Sequence, residues 1–265
     1  MRWKCPDIRG ALRWRFARLA DRLGLGRIAD RARMAWWRGT RSVVELGSVR
    51  LRIGSHLSPA ILRAIYRGYY EAPELACLQR ALTPSDVVLE LGTGLGFLAA
   101  FCARRVGSDR VFTFEANPGL RPLIEETFRL NGVAPRLESV MLGPARGRHA
   151  FYVERDFWIS STRRGPRPVE ELVVPVWALN DELERRHPTV LIIDIEGGEA
   201  ELIEYMRLDG VRSVIIELHP RVIGVEGTEA VKAFFAAAGF GTAASEANGT
   251  VLWLERSGVD AAGPS

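Results

Sequence analysis

The sequence predicts a doubly wound α/β sheet, mostly parallel, that ends in an antiparallel C-terminal hairpin strand and is preceded by a basic helical N-terminal segment. Three observations carry that expectation. From Val87 onward, short apolar runs alternate with helix-length segments, the pattern of parallel strands covered on both faces. The first of those runs leads straight into Gly92-Thr-Gly94-Leu-Gly96, where an open α/β sheet receives its ligand. The last two runs, Phe240–Ala244 and Val251–Leu254, flank Asn248-Gly249, a tight-turn pair that sends the final strand back antiparallel.

Taken in order, residues 1–41 read as a helical leader. Ile8, Leu12, Phe16, Leu19 and Leu23 recur every three or four residues with arginines between them, and a second short helix follows from about Arg27 to Trp37. Residues 42–82 form a lead-in. Val43–Ile53 is expected to be a small hairpin around Gly47, Pro59 starts a helix, and Glu74–Leu82 is another, stopped by Thr83-Pro-Ser-Asp86. Residues 83–256 hold the sheet. Its expected strands are Val87–Leu91, Val111–Phe114, Val190–Ile195 and Val214–Leu218, with helices at Phe97–Arg105, Pro122–Asn131 and Glu229–Ala238. Residues 257–265 are expected to be disordered.

The chain has 265 residues, enough for one large domain and an appendage. Its charge of +4 hides a division: residues 1–41 carry +9 and the remainder −5. The basic pI therefore belongs to the leader, and the acidic body speaks against nucleic acid as the partner. The leader itself suits packing on the domain, a peripheral contact with an anionic membrane surface, or a dimer contact. No apolar run approaches the roughly 18 residues of a spanning helix. Cys5, Cys77 and Cys102 show neither pairing nor metal-ligand spacing, and with no signal peptide the expected location is the cytoplasm, at most peripheral at the inner membrane face.

The chemistry is concentrated at strand ends. Gly92, Gly94 and Gly96 let a ligand approach the backbone closely. Their Gly-x-Gly-x-Gly spacing differs from the Gly-x-Gly-x-x-Gly that places a pyrophosphate at a helix N-terminus. It suits a nucleoside cofactor with an amino-acid end, such as S-adenosylmethionine. Glu90, just before the loop, can serve the ammonium directly or through water. Glu115 ends the next strand, 19 residues after Gly96, where a carboxylate can accept both ribose hydroxyls; Asn117 follows near the adenosine. Glu90 as a mere loop cap and Glu115 as an exposed strand-end charge are the plainer readings.

With these parts assembled, the chain resembles the FkbM family of methyltransferases from about Tyr69 to His219. The resemblance rests on Tyr70-Glu71, Glu90-Leu-Gly-Thr-Gly-Leu-Gly96, Phe114-Glu-Ala-Asn-Pro118, Trp158-Ile-Ser160-Ser161, Asp194-Ile-Glu196-Gly-Gly-Glu199 and Glu217-Leu-His219-Pro220. It implies a Rossmann-like fold, S-adenosylmethionine as cofactor, and O-methylation, often of sugars, polyketides or other secondary metabolites. One departure stands out. Members often carry Lys two residues before the Asp of Asp-Ile-Glu-Gly, and this sequence has Ile192.

Methyl transfer to an alcohol needs alignment and a destination for the proton. Strand alternation is expected to put Asp194 and Glu196 on one face, and Glu217 and His219 on one face of the next strand. His219 is the preferred base, because an unperturbed imidazole titrates near 6.5. Asp194 would orient the hydroxyl or share that role. Glu217 would orient His219 or, with Asp194, bind a divalent cation such as Mg²⁺; no residue is assigned as a metal ligand. Glu196 and Glu199 also suit helix capping. Ser160 and Ser161, in a long connection, either hydrogen-bond the acceptor or form a plain turn. The expected acceptor is a hydroxyl of a small molecule or glycan. An RNA methyltransferase, supported only by the leader, and a non-catalytic cofactor-binding scaffold are the alternatives.

Overall fold

The computed structural model describes residues 42–154, 168–245 and 249–257, and the chain divides into two compact units, Met1–Ala72 and Pro73–Ser265. In the first unit, β1 (Val43–Leu46) and β2 (Val49–Arg52) pair antiparallel with Leu46 opposite Val49. Gly47 and Ser48 both take positive φ, which matches the twist of a two-residue hairpin turn. Helix α1 (Pro59–Arg67) starts at Ser58, whose hydroxyl accepts the Ile61 N–H, and stops at Gly68 in the left-handed region. The hairpin and the helix starting at Pro59 are thus as expected. The leader helices, the Asn248 half of the final turn and the tail from 258 lie outside the described residues.

The second unit begins with α2 (Ala72–Ala81) and then runs β3 (Val88–Leu91), α3 (Phe97–Val106), β4 (Val111–Phe114), α4 (Arg121–Asn131) and β5 (Arg136–Glu138). After three further strands, the order continues α5 (Leu179–Arg186), β9 (Val190–Ile193), α6 (Glu199–Leu202), β10 (Ser213–Glu217), α7 (Pro220–Ala237), β11 (Phe240–Ser245) and β12 (Val251–Arg256). The main sheet has the order β11-β12-β10-β9-β3-β4-β5, parallel except for β12, which runs antiparallel to both β10 and β11. The expected doubly wound sheet with an antiparallel terminal hairpin is what the chain forms. The chain leaves β3 toward β4 and β5 and returns to β9 on its other side, so the strand order reverses between β3 and β9, the place where such sheets bind ligands.

Leu89, Leu91, Leu191, Ile193, Val214, Ile216, Leu252 and Leu254 line one face of the sheet and pack on Val231 and Phe235 of α7. Strand alternation makes each strand contribute every second residue to that face. The opposite ends of the strands are tied by Asp86. Its carboxylate accepts from Thr83 N–H (2.7 Å), Thr189 Oγ1 (2.7 Å) and Arg212 Nε (2.9 Å), joining the entries of β3, β9 and β10.

A second, three-stranded sheet was not foreseen: β6 (Met141–Gly143), β7 (Gly147–Glu154) and β8 (Pro168–Ala178), in the order β6-β8-β7. The segment with Ser160 and Ser161 therefore joins β7 to β8 of this small sheet, and both serines lie outside the described residues.

Candidate active site

Beyond β3 the chain turns through Gly92, Gly94 and Gly96 at φ 87°, 56° and 76°. Gly92 has no substitute, because a Cβ there would lie 1.7 Å from the carbonyl oxygen of Asp194. Gly92 and Gly94 stay part-exposed while Thr93, Leu95 and Gly96 are buried, so the loop offers its backbone to a ligand at two glycines. The third glycine packs against α4, beside Ile124 and Phe128.

Glu115 folds its carboxylate back onto this loop. Oε2 accepts the N–H groups of Thr93 (3.2 Å) and Gly94 (3.1 Å), and Oε1 that of Asn117 (2.8 Å). Burial pushes its carboxyl up to about 7, against the pull of those three donors. The expected two-oxygen grip on a ribose is thereby narrowed: Oε2 already holds two donors, and Oε1 keeps a lone pair for a hydroxyl. Asn117 is buried, and its Oδ1 caps the one-turn helix that follows by accepting the Gly119 N–H (3.0 Å).

Glu90 is 1% exposed and lies beneath the loop, not at its mouth. Its register partners are Thr113 on β4 and Ile192 on β9. Thr113 Oγ1 bonds its carboxylate and in turn meets Thr93 Oγ1 at 2.5 Å. Burial lifts the Glu90 carboxyl to about 8, only partly offset by the Thr113 bond. A direct bond to a ligand's ammonium therefore gives way to support from behind the loop. The pairing also locates the departure at Ile192. That side chain is 1% exposed, inside the sheet next to Glu90, so a lysine there would meet Glu90 and not the acceptor.

The other half of the site is built by two turns. Asp194 follows β9 and donates its N–H to Leu91 O (2.9 Å), which sets it beside the glycine loop. The next two residues leave extended geometry: Glu196 has φ 51° and Gly197 φ 99°, and a Cβ on Gly197 would strike Val222 at 2.3 Å. His219 follows β10 and caps α7. The carboxylates do converge on His219, but through this left-handed turn and a helix cap and not through strand alternation, since β9 ends at Ile193 and β10 at Glu217.

His219 is held at both nitrogens. Nδ1 lies 2.8 Å from Glu199 Oε1, while Nε2 lies 3.1 Å from Glu196 Oε2 and 3.8 Å from Asp194 Oδ1. Burial alone would lower its pKa, but the Glu199 hydrogen bond and the charges of Glu196, Asp194 and Glu199 outweigh burial and raise it to about 10. An imidazole so placed favours its protonated form. A raised proton affinity makes His219 the less ready of the two to start as a free base, and Asp194 beside it is the other candidate. The carboxylates crowded around the ring oppose one another's ionisation at Asp194 and Glu196. Burial pushes Asp194 up to about 7, with the charge of Glu217 adding to it, and burial with the charge of Asp194 pushes Glu196 up as well.

Asp194, Glu217 and His219 bring one potential ligand atom each within 4.8 Å of one another. No further observation supports the Mg²⁺ expectation. Glu199 was the residue sequence reasoning undervalued. It is fully buried, and its Oε1 accepts the Gly197 N–H (3.0 Å) as well as His219. Thr113 was also missed; its signal was a lone hydroxyl in the otherwise apolar strand Val-Phe-Thr-Phe.

The glycine loop opens its backbone between Glu90 and Glu115, two buried carboxylates. Such a setting suits a ligand with free hydroxyls and an ammonium, whose positive charge favours the ionised form of Glu90, more than a pyrophosphate. A sheet of this order, with that loop at its switch point and carboxylates at the ends of the neighbouring strands, is a Rossmann-like methyltransferase domain. The chain belongs to the FkbM methyltransferase family: the model of the Methyltransferase FkbM domain matches residues 86–241, well over half of its length. It is an S-adenosylmethionine-dependent methyltransferase.

Among solved structures, the methyltransferase FkbM from Methylobacillus flagellatus is 14% identical, with TM-score 0.41 over 74% of this chain and 53% of that one. An O-methyltransferase from Bacillus cereus in complex with S-adenosylhomocysteine is 15% identical, with TM-score 0.39 over 68% and 78%. The ribosomal protein L11 methylase from Lactobacillus delbrueckii subsp. bulgaricus is 14% identical, with TM-score 0.42 over 70% and 77%. Likeness at this level says nothing about the substrate. No curated protein matches the chain. Among the described residues, no helix is long and apolar enough to cross a membrane.

Proposed function

We propose that the chain transfers the methyl group of S-adenosylmethionine to a hydroxyl oxygen of a small molecule or glycan. The observation that carries this reading is the turn at Asp194. Its backbone touches the glycine loop and its carboxyl, lifted to about 7, sits among Glu196, Glu217 and His219. Bound S-adenosylmethionine supplies an activated methyl on a sulfonium. Gly92 and Gly94 would receive its amino-acid end, with Glu90 behind the loop giving up its proton and becoming the counter-charge as the ammonium binds, and Glu115 Oε1 would take a ribose hydroxyl.

An alcohol must give up its proton as its oxygen takes the methyl carbon. Asp194 is the acceptor for that proton, because a carboxyl near 7 is ionised often enough at neutral pH and still basic enough to accept. His219, as a fixed cation, holds the neighbouring carboxylates in place. The oxygen–carbon bond forms as the carbon–sulfur bond breaks, the sulfonium becomes a neutral thioether, and the proton ends on Asp194.

Calorimetric titration with S-adenosylmethionine and S-adenosylhomocysteine, with NAD as control, tests the cofactor half. Micromolar binding of the first two is expected, weakened at least about ten-fold in Glu115→Ala, the scale of a lost charge-assisted hydrogen bond. Transfer of a labelled methyl group into an acceptor panel tests the other half. Label found only on amine nitrogen, or cofactor binding without turnover on hydroxylated acceptors, would reject the hydroxyl reading.

A further inference from the structure

Glu199 lies at the first position of α6, fully buried, 20 residues before His219 in the chain. One of its oxygens serves two donors at once: Gly197 N–H at 3.0 Å and His219 Nδ1 at 2.8 Å. The first bond closes the left-handed turn that carries Glu196. The second fixes the tilt of the imidazole and leaves Nε2 as the nitrogen that faces Glu196 and Asp194. A helix-capping carboxylate needs only the first bond. Both bonds from one oxygen make Glu199 the hinge between the two turns that build the acceptor side.

We propose that Glu199 is a positioning residue: through Nδ1 it aims Nε2 of His219 at Asp194 and Glu196, and so sets the carboxylate that receives the acceptor's proton. The role rests on the methyl-transfer reading; the dyad itself does not. Its logic is that of any ring held by a buried carboxylate at one nitrogen, where the partner fixes both the ring's orientation and its protonation. The groups facing His219 are Asp194 and Glu196 from the turn after β9, Glu199 from α6, and Glu217 from the end of β10.

The test is a pH titration by NMR of the full chain labelled with ¹⁵N-histidine. There are four histidines; His56, His149 and His187 are exposed and serve as internal references, and His219→Asn assigns the fourth. In the wild type, His219 is expected to keep both ring protons beyond pH 8. In Glu199→Gln, which retains an oxygen for Gly197 N–H, its midpoint is expected to fall by at least one pH unit, a ten-fold loss in proton affinity. S-adenosylmethionine affinity is expected to stay within two-fold.

A wild-type His219 that titrates near 6.5 overturns the proposal without need of any variant. So does an unmoved midpoint in Glu199→Gln, the result of a purely capping role. A ten-fold loss of cofactor affinity in Glu199→Gln would place the residue in the cofactor site and also overturn it. Failure of the wild type to bind S-adenosylmethionine would sink the methyl-transfer reading, and with it the catalytic role, while the titration still reads the dyad.

Discussion

Replacing Glu90 by Gln is expected to make the ligand-free protein more stable at alkaline pH and, at the same time, a poorer binder of its cofactor. Glu90 is buried beneath the glycine loop, and burial carries its carboxyl from 4.5 to about 8. Between those values the folded chain holds a proton that the unfolded chain gives up. Stability is therefore full below about pH 4.5 and falls as pH rises toward 8. At about 1.36 kcal/mol per pH unit, the wild type loses roughly 3 kcal/mol through this one group between pH 5.5 and 8.5. Gln has the shape of the protonated acid. Its amide can donate to Thr113 Oγ1 and carries nothing to ionise, so the variant is spared that loss. Urea unfolding of both proteins at pH 5.5 and 8.5 measures it. The other groups with raised values remain in the variant, so the quantity to read is the difference between the two proteins. The variant's lead over the wild type is expected to widen by roughly 3 kcal/mol from pH 5.5 to 8.5. Calorimetry should show cofactor affinity at least about ten-fold weaker, since the ligand's ammonium loses its counter-charge. A lead that does not widen between pH 5.5 and 8.5 would show that Glu90 ionises in the folded chain as it does in the unfolded one, and refute the reasoning.

Asp86→Ala removes the shared acceptor of Thr83, Thr189 and Arg212 and is expected to cost about 3 kcal/mol in urea unfolding, with cofactor affinity unchanged because the clamp lies at the far ends of the strands. Burial opposes ionisation of Asp86, but the bonds from Arg212, Thr83 and Thr189 prevail and hold its pKa below the usual 3.8, so its contribution is present above that pH and is lost as pH falls beneath it. With an acceptor in hand, turnover is expected to rise as Asp194 ionises through about 7 and to decline as His219 loses its proton near 10; a maximum below pH 6 would exclude Asp194 as the proton acceptor.

Most of the sheet was legible because its strands are short apolar runs closed by glycine, proline or charge. β3, β4, β9, β10 and the final hairpin each announced themselves in this way. The small sheet did not. β6 has three residues, and β7, Gly-Arg-His-Ala-Phe-Tyr-Val-Glu, is exposed along its first half, so neither shows an apolar run or a clear alternation. α5, Leu-Asn-Asp-Glu-Leu-Glu-Arg-Arg, buries only Leu179, Glu182 and Leu183, too few to mark a period. In the site, the residues were legible from their place at strand ends, but the geometry that joins them was not. Glu196 takes a positive φ that only the following glycines hint at, and the bond between Glu199 and His219 spans 20 residues and two turns.

The charge balance of the site explains why its acids are arranged as they are. Methyl transfer from a sulfonium to an alcohol, with a carboxylate as base, consumes one positive and one negative charge. A buried setting favours that annihilation, since it is the separated charges that burial penalises. Asp194 is the group whose charge should disappear, and it is the one placed against the glycine loop with a buried oxygen that makes no hydrogen bond. His219 is the group whose charge must persist, and it alone is bracketed by carboxylates on both nitrogens. Glu199 holds the ring's Nδ1 and the Gly197 N–H with one oxygen from a position with no exposure at all. The division of labour thus follows bonding: the ring is tied to Glu199 through an oxygen that also holds the Gly197 N–H, while Asp194 Oδ1 makes no hydrogen bond and stands beside the glycine loop.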